Sequence, residues 1–306
     1  MFFFILAGGY GKRAQPLSLV KPKPIFPLHG TPLIDILLSG LEKTGDSKGF
    51  INLHYKPEIL RQSIGHHPNL SIKYLYENEL SGSKILKGTL DFMEEFLLVM
   101  NGDVFLDISK IPLEYILDEI KKTSSDGALL LRKNDNPAYT TVFSDNGFFK
   151  GTGSGMNKSG STLMYTGVAI LGKQIVEKID HINFFSTFAA HHFKIKTEIY
   201  DGPWMDIGNP RLYFEANAGY KRYLNIDGED CSFSENVIVS RDSHVSRCIA
   251  WENTKISGHS SLSECIITGN LELHDVNYSN KIIYSLNGEI LPGTFNYSAQ
   301  RFLSFQ

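Results

Sequence analysis

Five short apolar runs punctuate the first 132 residues: Phe2 to Ala7, Phe50 to His54, Ile72 to Tyr76, Phe96 to Met100 and Ala128 to Arg132. Each is bounded by turn residues and has the length of a buried strand, and the segments between the first four suit helices. Such alternation predicts a doubly wound sheet with parallel strands. The clearest helix has Thr31 as its candidate cap, Pro32 in its first turn, Leu33, Leu37, Leu38 and Leu41 at helical spacing, and Gly45 to end it. A second helix is predicted from about Ser83 to Glu95, with Leu86, Leu90 and Met93 on one face. Asn146-Gly147, between Thr140 to Phe143 and Phe148 to Lys150, is a hairpin signal that brings antiparallel strands into the sheet.

After residue 225 helical patterns stop, and apolar residues come singly or in pairs. Aligning this tail on its cysteines exposes a repeat of 17 residues in four copies, beginning at Cys231, Cys248, Cys265 and Ile282. The sixth column is Asn236, Asn253, Asn270 and Asn287, and the ninth is Val239, Ile256, Leu273 and Ile290. A small apolar residue, a residue tolerant of left-handed backbone and a branched aliphatic at this period suit one coil of a β-solenoid, with the asparagines at a corner. Steps of six between Val239, Val245 and Trp251, and between Ile256 and Leu262, match the hexapeptide rhythm of a left-handed β-helix. The expected division is therefore 1–225 and 226–306.

Thirty basic against 33 acidic side chains leave a formal charge of −3, so there is no global positive field for a nucleic acid or an anionic membrane. Any phosphate ligand must be held locally. The three cysteines are too few and odd in number for a disulfide framework, and they lack a metal spacing. The opening apolar run is too short for a signal peptide, and no run reaches membrane-spanning length, so the reading is cytoplasmic. His66-His67 and His191-His192 are adjacent pairs whose side chains diverge, which makes them poor chelators and better read as surface histidines.

The chemistry concentrates after the first strand, in Leu6-Ala7-Gly8-Gly9-Tyr10-Gly11-Lys12-Arg13, then Pro16-Leu17 and Lys21-Pro22-Lys23-Pro24. Three glycines in four positions let the backbone approach a polyphosphate, and Lys12, Arg13, Lys21 and Lys23 supply charge. Arg13 can grip phosphate as a fork, whereas Lys23, between two prolines, is a point charge at a defined place. No Walker pattern exists. Gly9, Gly11 and Ala14 fit a dinucleotide fingerprint, but that needs a helix starting in the loop, and Pro16 would fall in its second turn.

These residues resemble the signature of the sugar-1-phosphate nucleotidyltransferases, close to L-A-G-G-x-G-x-R-L-x-P-L-T followed by P-K-P, with Ala14 and Ser18 as mild departures. Asn101-Gly102-Asp103 after the fourth run, Tyr165-Thr166-Gly167, and Trp204 to Pro210 extend the likeness to about residue 220. The resemblance implies a Rossmann-like α/β mixed sheet of the GT-A type, followed here by the short β-solenoid. It also implies that an NTP and a hexose 1-phosphate give an NDP-sugar and pyrophosphate. Mannose-1-phosphate guanylyltransferases share this pairing of domain and coil, and glucose-1-phosphate thymidylyl- or uridylyltransferases are alternatives. A non-catalytic regulatory subunit of the same fold is the rival reading.

By the same resemblance, Leu6, Ala7, Gly8, Gly9, Gly11, Glu77 and Gly82 bind nucleotide, Arg13 and Lys23 are catalytic, and Asn101, Thr166 and Gly167 meet the sugar. Asp103 and Asp206 would hold Mg²⁺, which suits two anionic substrates and a reaction that needs positioning and charge rather than a protein nucleophile. As structural alternatives, either aspartate is a turn residue or Asp206 a helix cap, yet Asn209-Pro210 already supplies the cap and first position of a helix through Leu212, Phe214 and Tyr220. Two departures stand out. Lys84 replaces a glycine in the stretch Glu77 to Leu86 and either alters nucleotide choice or points outward. The family's E-K-P after the hairpin is missing, with Lys150 a weak substitute. Assembly of copies through the repeat domain is a further expectation.

Overall fold

The computed structural model describes residues 2–45, 47–134, 136–155, 162–180, 182–226 and 230–294. The chain folds as two compact units, Met1–Gly9 with Ile34–Trp204, and Tyr10–Leu33 with Met205–Gln306.

The first unit is built on nine strands: β1 (Phe2–Leu6), β2 (Ser47–Leu53), β3 (Leu70–Tyr76), β4 (Phe96–Asn101), β5 (Gly127–Lys133), β6 (Thr141–Asp145), β7 (Phe148–Gly153), β8 (Leu163–Gly172) and β9 (Ile195–Ile199). Their order is β3-β2-β1-β4-β8-β5-β9-β7-β6. The first four and the β5–β9 pair run parallel, while β8 lies antiparallel to both β4 and β5. All five apolar runs are strands, and the sheet is mixed. One core cluster of this unit joins Phe4, Phe50, Val99 and Leu129 to Ile175, Val176, Phe184 and Phe188. Residues with no exposed surface, such as Phe4, each contribute about 1.5–3 kcal/mol of burial.

The hairpin forms as read: Asn146 (φ 52) and Gly147 (φ 76) sit between the paired Asp145 and Phe148, the left-handed pair of a two-residue turn. Two helix readings change. The first helix spans Leu33–Glu42, with Gly45 left-handed beyond its end, but Thr31–Pro32 pairs with Pro27–Leu28 as a strand rather than capping it. Ser83 to Glu95 is not an α-helix: a 3-10 helix, Gly82–Thr89, is followed by turns. Left-handed Gly82 at its start and Gly88 within it disfavour regular α-helix, although Leu86 and Met93 still reach the core.

In the second unit the repeat is a coil of three parallel sheets. One stacks Ser232–Phe233, Ile249–Ala250, Ile266–Ile267 and Lys281–Leu286, another Ile238–Val239, Lys255–Ser257 and Glu272–His274, and the third His244–Ser246, Ser261–Ser263 and Asn277–Ser279. Asn236, Asn253 and Asn270 have φ of 59, 54 and 59, so the asparagine column is a left-handed corner. Their side chains form a ladder, Asn236 Nδ2 donating to Asn253 Oδ1 at 3.1 Å and Asn253 Nδ2 to Asn270 Oδ1 at 3.2 Å. The cysteines also stack: the Cys248 and Cys265 amides each donate to the preceding sulfur at 3.4 Å. The hydrogen bond to Cys265 and burial push the Cys248 thiol well up, which suits a structural column.

The fourth copy departs from the repeat. Ile266 pairs with Ile282, a step of 16, and Lys281–Leu286 folds back on Glu289–Thr294 through Asn287 and Gly288, both left-handed. Asn287 and Ile290 therefore belong to a hairpin, not to the corner and aliphatic columns, and residues 295–298 of that copy lie outside the described residues. Trp251 leaves the hexapeptide rhythm as well. Its neighbour Ala250 faces the coil interior, while Trp251 packs on Phe26 and Tyr213.

Candidate functional site

In the first unit, β1 ends at Leu6, and the chain continues through buried Ala7 and Gly8 to exposed Gly9. The turn is held by Asn52 of β2, a polar residue only 3% exposed, whose Oδ1 accepts from the Ala7 amide at 2.6 Å and the Gly8 amide at 3.3 Å. Asn52 Nδ2 donates to Glu77 Oε2 at 2.5 Å, and Glu77 Oε1 accepts from the Ser81 amide at 3.0 Å and its hydroxyl at 2.6 Å. The backbone carbonyl of Glu77 lies 2.9 Å from His54 Nδ1. Glu77 thus acts on the loop through Asn52, which sequence reading missed. Its only signal was an amide inside an apolar strand run.

A Cβ on Gly8 would stand 2.7 Å from Asn52 Nδ2, whereas nothing lies within 4 Å of one on Gly9. Gly82 (φ +60) is equally constrained: a Cβ there would meet the Ile182 carbonyl at 2.4 Å, and the Ser83 amide donates to that carbonyl at 2.7 Å. Lys84 is exposed, in keeping with the outward reading, and Lys150 is exposed on β7.

At the end of β4 the Gly102 amide donates to the Leu6 carbonyl at 2.9 Å, and a Cβ on Gly102 would stand 3.0 Å from that oxygen. This close approach sets half-buried Asp103 beside the end of β1, where open α/β sheets bind ligands. Asn101 adjoins Gly167, whose φ is +96 and whose Cβ would come 3.2 Å from Asn101 Cβ. Gly167 lies in an irregularity of β8 between Tyr165 and Ala169. Thr166 is buried, its hydroxyl donating to the Leu130 carbonyl at 2.9 Å and its carbonyl accepting from Trp204 Nε1 at 2.8 Å. Leu6, Asn101, Asp103 and Gly167 are therefore brought together at the carboxyl ends of β1 and β4.

In the second unit, Gly11 is left-handed (φ 63) and opens a 3-10 turn, Lys12–Ala14, rather than a long helix. A Cβ on Gly11 would come 3.1 Å from both Lys23 Cγ and Ser18 Cβ, and Ser18 Oγ donates to the Gly11 carbonyl at 2.9 Å. The serine that departs from the signature thus ties down the glycine. Lys23 is 8% exposed, and Lys12 and Arg13 are exposed. Lys21 is engaged elsewhere than the sequence suggested: it pairs with Glu252 and lies 5.4 Å from the Trp251 ring centroid. Asp206 is half-buried, with Oδ1 accepting from the Gly208 amide at 2.7 Å. Asn209 Oδ1 caps the following helix, Pro210–Tyr223, by accepting from the Leu212 amide at 3.0 Å, as read from the sequence.

His67 is not a surface histidine. Its side chain is 6% exposed and lies between two carboxylates of the Leu33–Glu42 helix, Nδ1 at 3.1 Å from Glu42 Oε2 and Nε2 at 3.1 Å from Asp35 Oδ1. The hydrogen bond with His67 holds the Glu42 carboxyl below its ordinary value. His191 and His192 are exposed. Among the described residues no group of three or more His, Cys, Asp or Glu is placed to hold a metal, and no helix is long and apolar enough to cross a membrane.

A glycine-bearing turn and an aspartate at the carboxyl ends of parallel strands agree with the family comparison. The family model described as nucleotidyl transferase matches residues 3–146. The D-glycero-α-D-manno-heptose 1-phosphate guanylyltransferase of Campylobacter jejuni is 28% identical over 218 residues, covering 69% of this chain and 96% of that protein. Mannose-1-phosphate guanylyltransferase 1 of Arabidopsis thaliana is 26% identical over 246 residues, covering 72% of this chain and 64% of that protein. The relatives are thus sugar-1-phosphate nucleotidyltransferases, and the chain spans less than two thirds of the length of several of them. The crystal structure of HddC from Yersinia pseudotuberculosis has the same fold, with a TM-score of 0.61 and 23% identity over 72% of this chain and 99% of that one. HddC has also been solved in complex with GMP-PN.

Proposed function

We propose that this chain transfers a nucleotidyl group from an NTP to a hexose or heptose 1-phosphate, releasing pyrophosphate. The observation that carries the reading is buried Lys23, its stem packed where only a glycine at position 11 leaves room. A lysine whose stem is fixed in this way is a point charge at a defined place, which suits a phosphate oxygen. In this reading Leu6, Ala7 and Gly8 shape the loop that Asn52 braces. Gly9 and Gly11 admit the triphosphate, and Glu77 and Gly82 shape the base site. Arg13 neutralises the β and γ phosphates. Lys23 holds the α-phosphate and the incoming sugar phosphate, whose oxygen attacks phosphorus in line with the departing pyrophosphate. Asn101, Thr166 and Gly167 border the sugar, Thr166 through its backbone because its hydroxyl is committed to Leu130.

Asp103 and Asp206 each offer a hard oxygen donor, the kind that suits Mg²⁺, which commonly takes one or two carboxylates with substrate phosphates and water. When bound, the ion supplies charge stabilisation on the phosphates. The names of the relatives favour a guanine nucleotide, with mannose 1-phosphate or a heptose 1-phosphate as acceptor. Residues 1–225 would form the transfer domain and 226–306 the coil, through which copies of the chain would associate.

Incubation with Mg²⁺, each NTP and a panel of sugar 1-phosphates, followed by pyrophosphate release, tests the reading and fixes the pair. Nucleotide binding without turnover on any pair would support the regulatory alternative instead. Asp103→Asn and Asp206→Asn are each expected to lower kcat by about 10²-fold or more. Near-wild-type turnover of both would remove the metal assignment.

A further inference from the structure

The segment from Lys21 to Pro27 is gripped at one end by the second coil of the solenoid and at the other by that coil together with the helix Pro210–Tyr223, all within the second unit. At one end Lys21 pairs with Glu252 and lies over the Trp251 ring. At the other, the Phe26 ring sits 5.2 Å, centroid to centroid, from both Tyr213 and Trp251, all three being fully buried. A hydrogen-bond relay completes the grip: Trp251 Nε1 donates to the Tyr213 hydroxyl at 2.9 Å, and that hydroxyl donates to the Pro27 carbonyl at 2.7 Å. Lys23 stands between the two anchors, and the Phe26 amide donates to its carbonyl at 2.9 Å.

We infer that Trp251, Glu252 and Tyr213 are positioning residues for Lys23, so that the coil sets the geometry of phosphate binding besides extending the chain. The inference rests on the proposed nucleotidyl transfer. An aromatic body fixes the segment's height, and a charge pair at one end with a carbonyl acceptor at the other fixes its rotation. A lysine aimed at an in-line displacement is sensitive to both, because misplacement by an ångström from a remote change costs up to about 10²-fold in rate.

Trp251→Phe and Tyr213→Phe each keep a ring and break the relay, and Glu252→Gln removes the charge. Leu273→Val, in the interior of the third coil, serves as a control that loosens packing without touching the segment. The first readout is hydrogen–deuterium exchange of the full chain over residues 21–28. Exchange is expected to rise about tenfold in the three variants and to stay within about twofold in the control. The second is steady-state kinetics with the pair found active: kcat should fall about tenfold or more while KM stays within about threefold. The Trp251→Phe/Tyr213→Phe double variant should be no worse than either single one, because the relay acts as a unit.

Unchanged exchange, a control that behaves like the variants, or raised exchange with unaltered kcat would overturn the inference. A wild-type chain that turns over no pair refutes the transferase reading and with it the catalytic half of this inference. Exchange would still decide whether the coil holds the segment.

Discussion

Two segments that the proposed chemistry needs are held by different means. In the first unit the Ala7–Gly8 turn hangs on a polar network, Asn52 accepting two amides and Glu77 bracing Asn52 and Ser81. In the second, Lys21–Pro27 is held mainly by buried rings. The polar brace is specific but brittle, since deleting one member strands its partners. The aromatic grip spreads its energy over surface, so its stability tolerates a lost hydrogen bond better. A turn whose amides must point in fixed directions suits the first. A basic segment that must sit at a fixed depth suits the second.

Asn52→Ala is the sharpest way to break this contrast. It leaves the Ala7 and Gly8 amides without their acceptor and removes a donor from Glu77, at a cost of about 2–4 kcal/mol. Denaturant unfolding should show the loss, and a loss no larger than that of Trp251→Phe would erase the distinction between brittle and tolerant supports. A smaller effect is expected at Asn253, the left-handed corner of the coil that carries Trp251. Asn253→Ala meets the left-handed penalty of about 1–2 kcal/mol as well as losing ladder bonds, whereas Asn253→Gly loses only the ladder and should cost less. Equal costs would assign the corner to the ladder alone.

The smallest effect concerns a second polar brace in the first unit, His67 between Asp35 and Glu42. Because the Glu42 carboxyl lies below its ordinary value, its contribution to stability is present above that value and is lost as pH falls through the folded one. His67→Phe should raise the Glu42 midpoint in a carboxyl NMR titration, and the stability gap between the two proteins should narrow in acid. An unmoved midpoint would detach Glu42 from His67.

What could be read from the chain in advance was whatever repeats locally. Alternating apolar runs marked the strands, Asn146-Gly147 marked the hairpin, Asn209-Pro210 marked a helix start, and asparagines spaced by 17 marked a coil corner. What stayed hidden depends on distant partners. Asn52 meets Ala7 across 45 positions, His67 meets Asp35 across 32, and Trp251 meets Tyr213 across 38. No local period announces such pairs. Ser83 to Glu95 failed for the opposite reason: its apolar spacing was helical, but the glycines beneath it disfavoured regular helix. The candidate site residues stood out as a motif, while the groups that hold them did not.

The hairpin at the end of the coil has a consequence beyond the slipped fourth copy. A stack of parallel coils presents at its last turn a row of backbone groups ready to accept another strand, from this chain or from a stranger. In one of the three sheets that row is met by Glu289–Thr294, running the opposite way, and this outermost strand carries Pro292, which has no N–H to offer a newcomer. The same few residues that spoil the periodicity give one edge of the coil a strand poorly suited to further pairing.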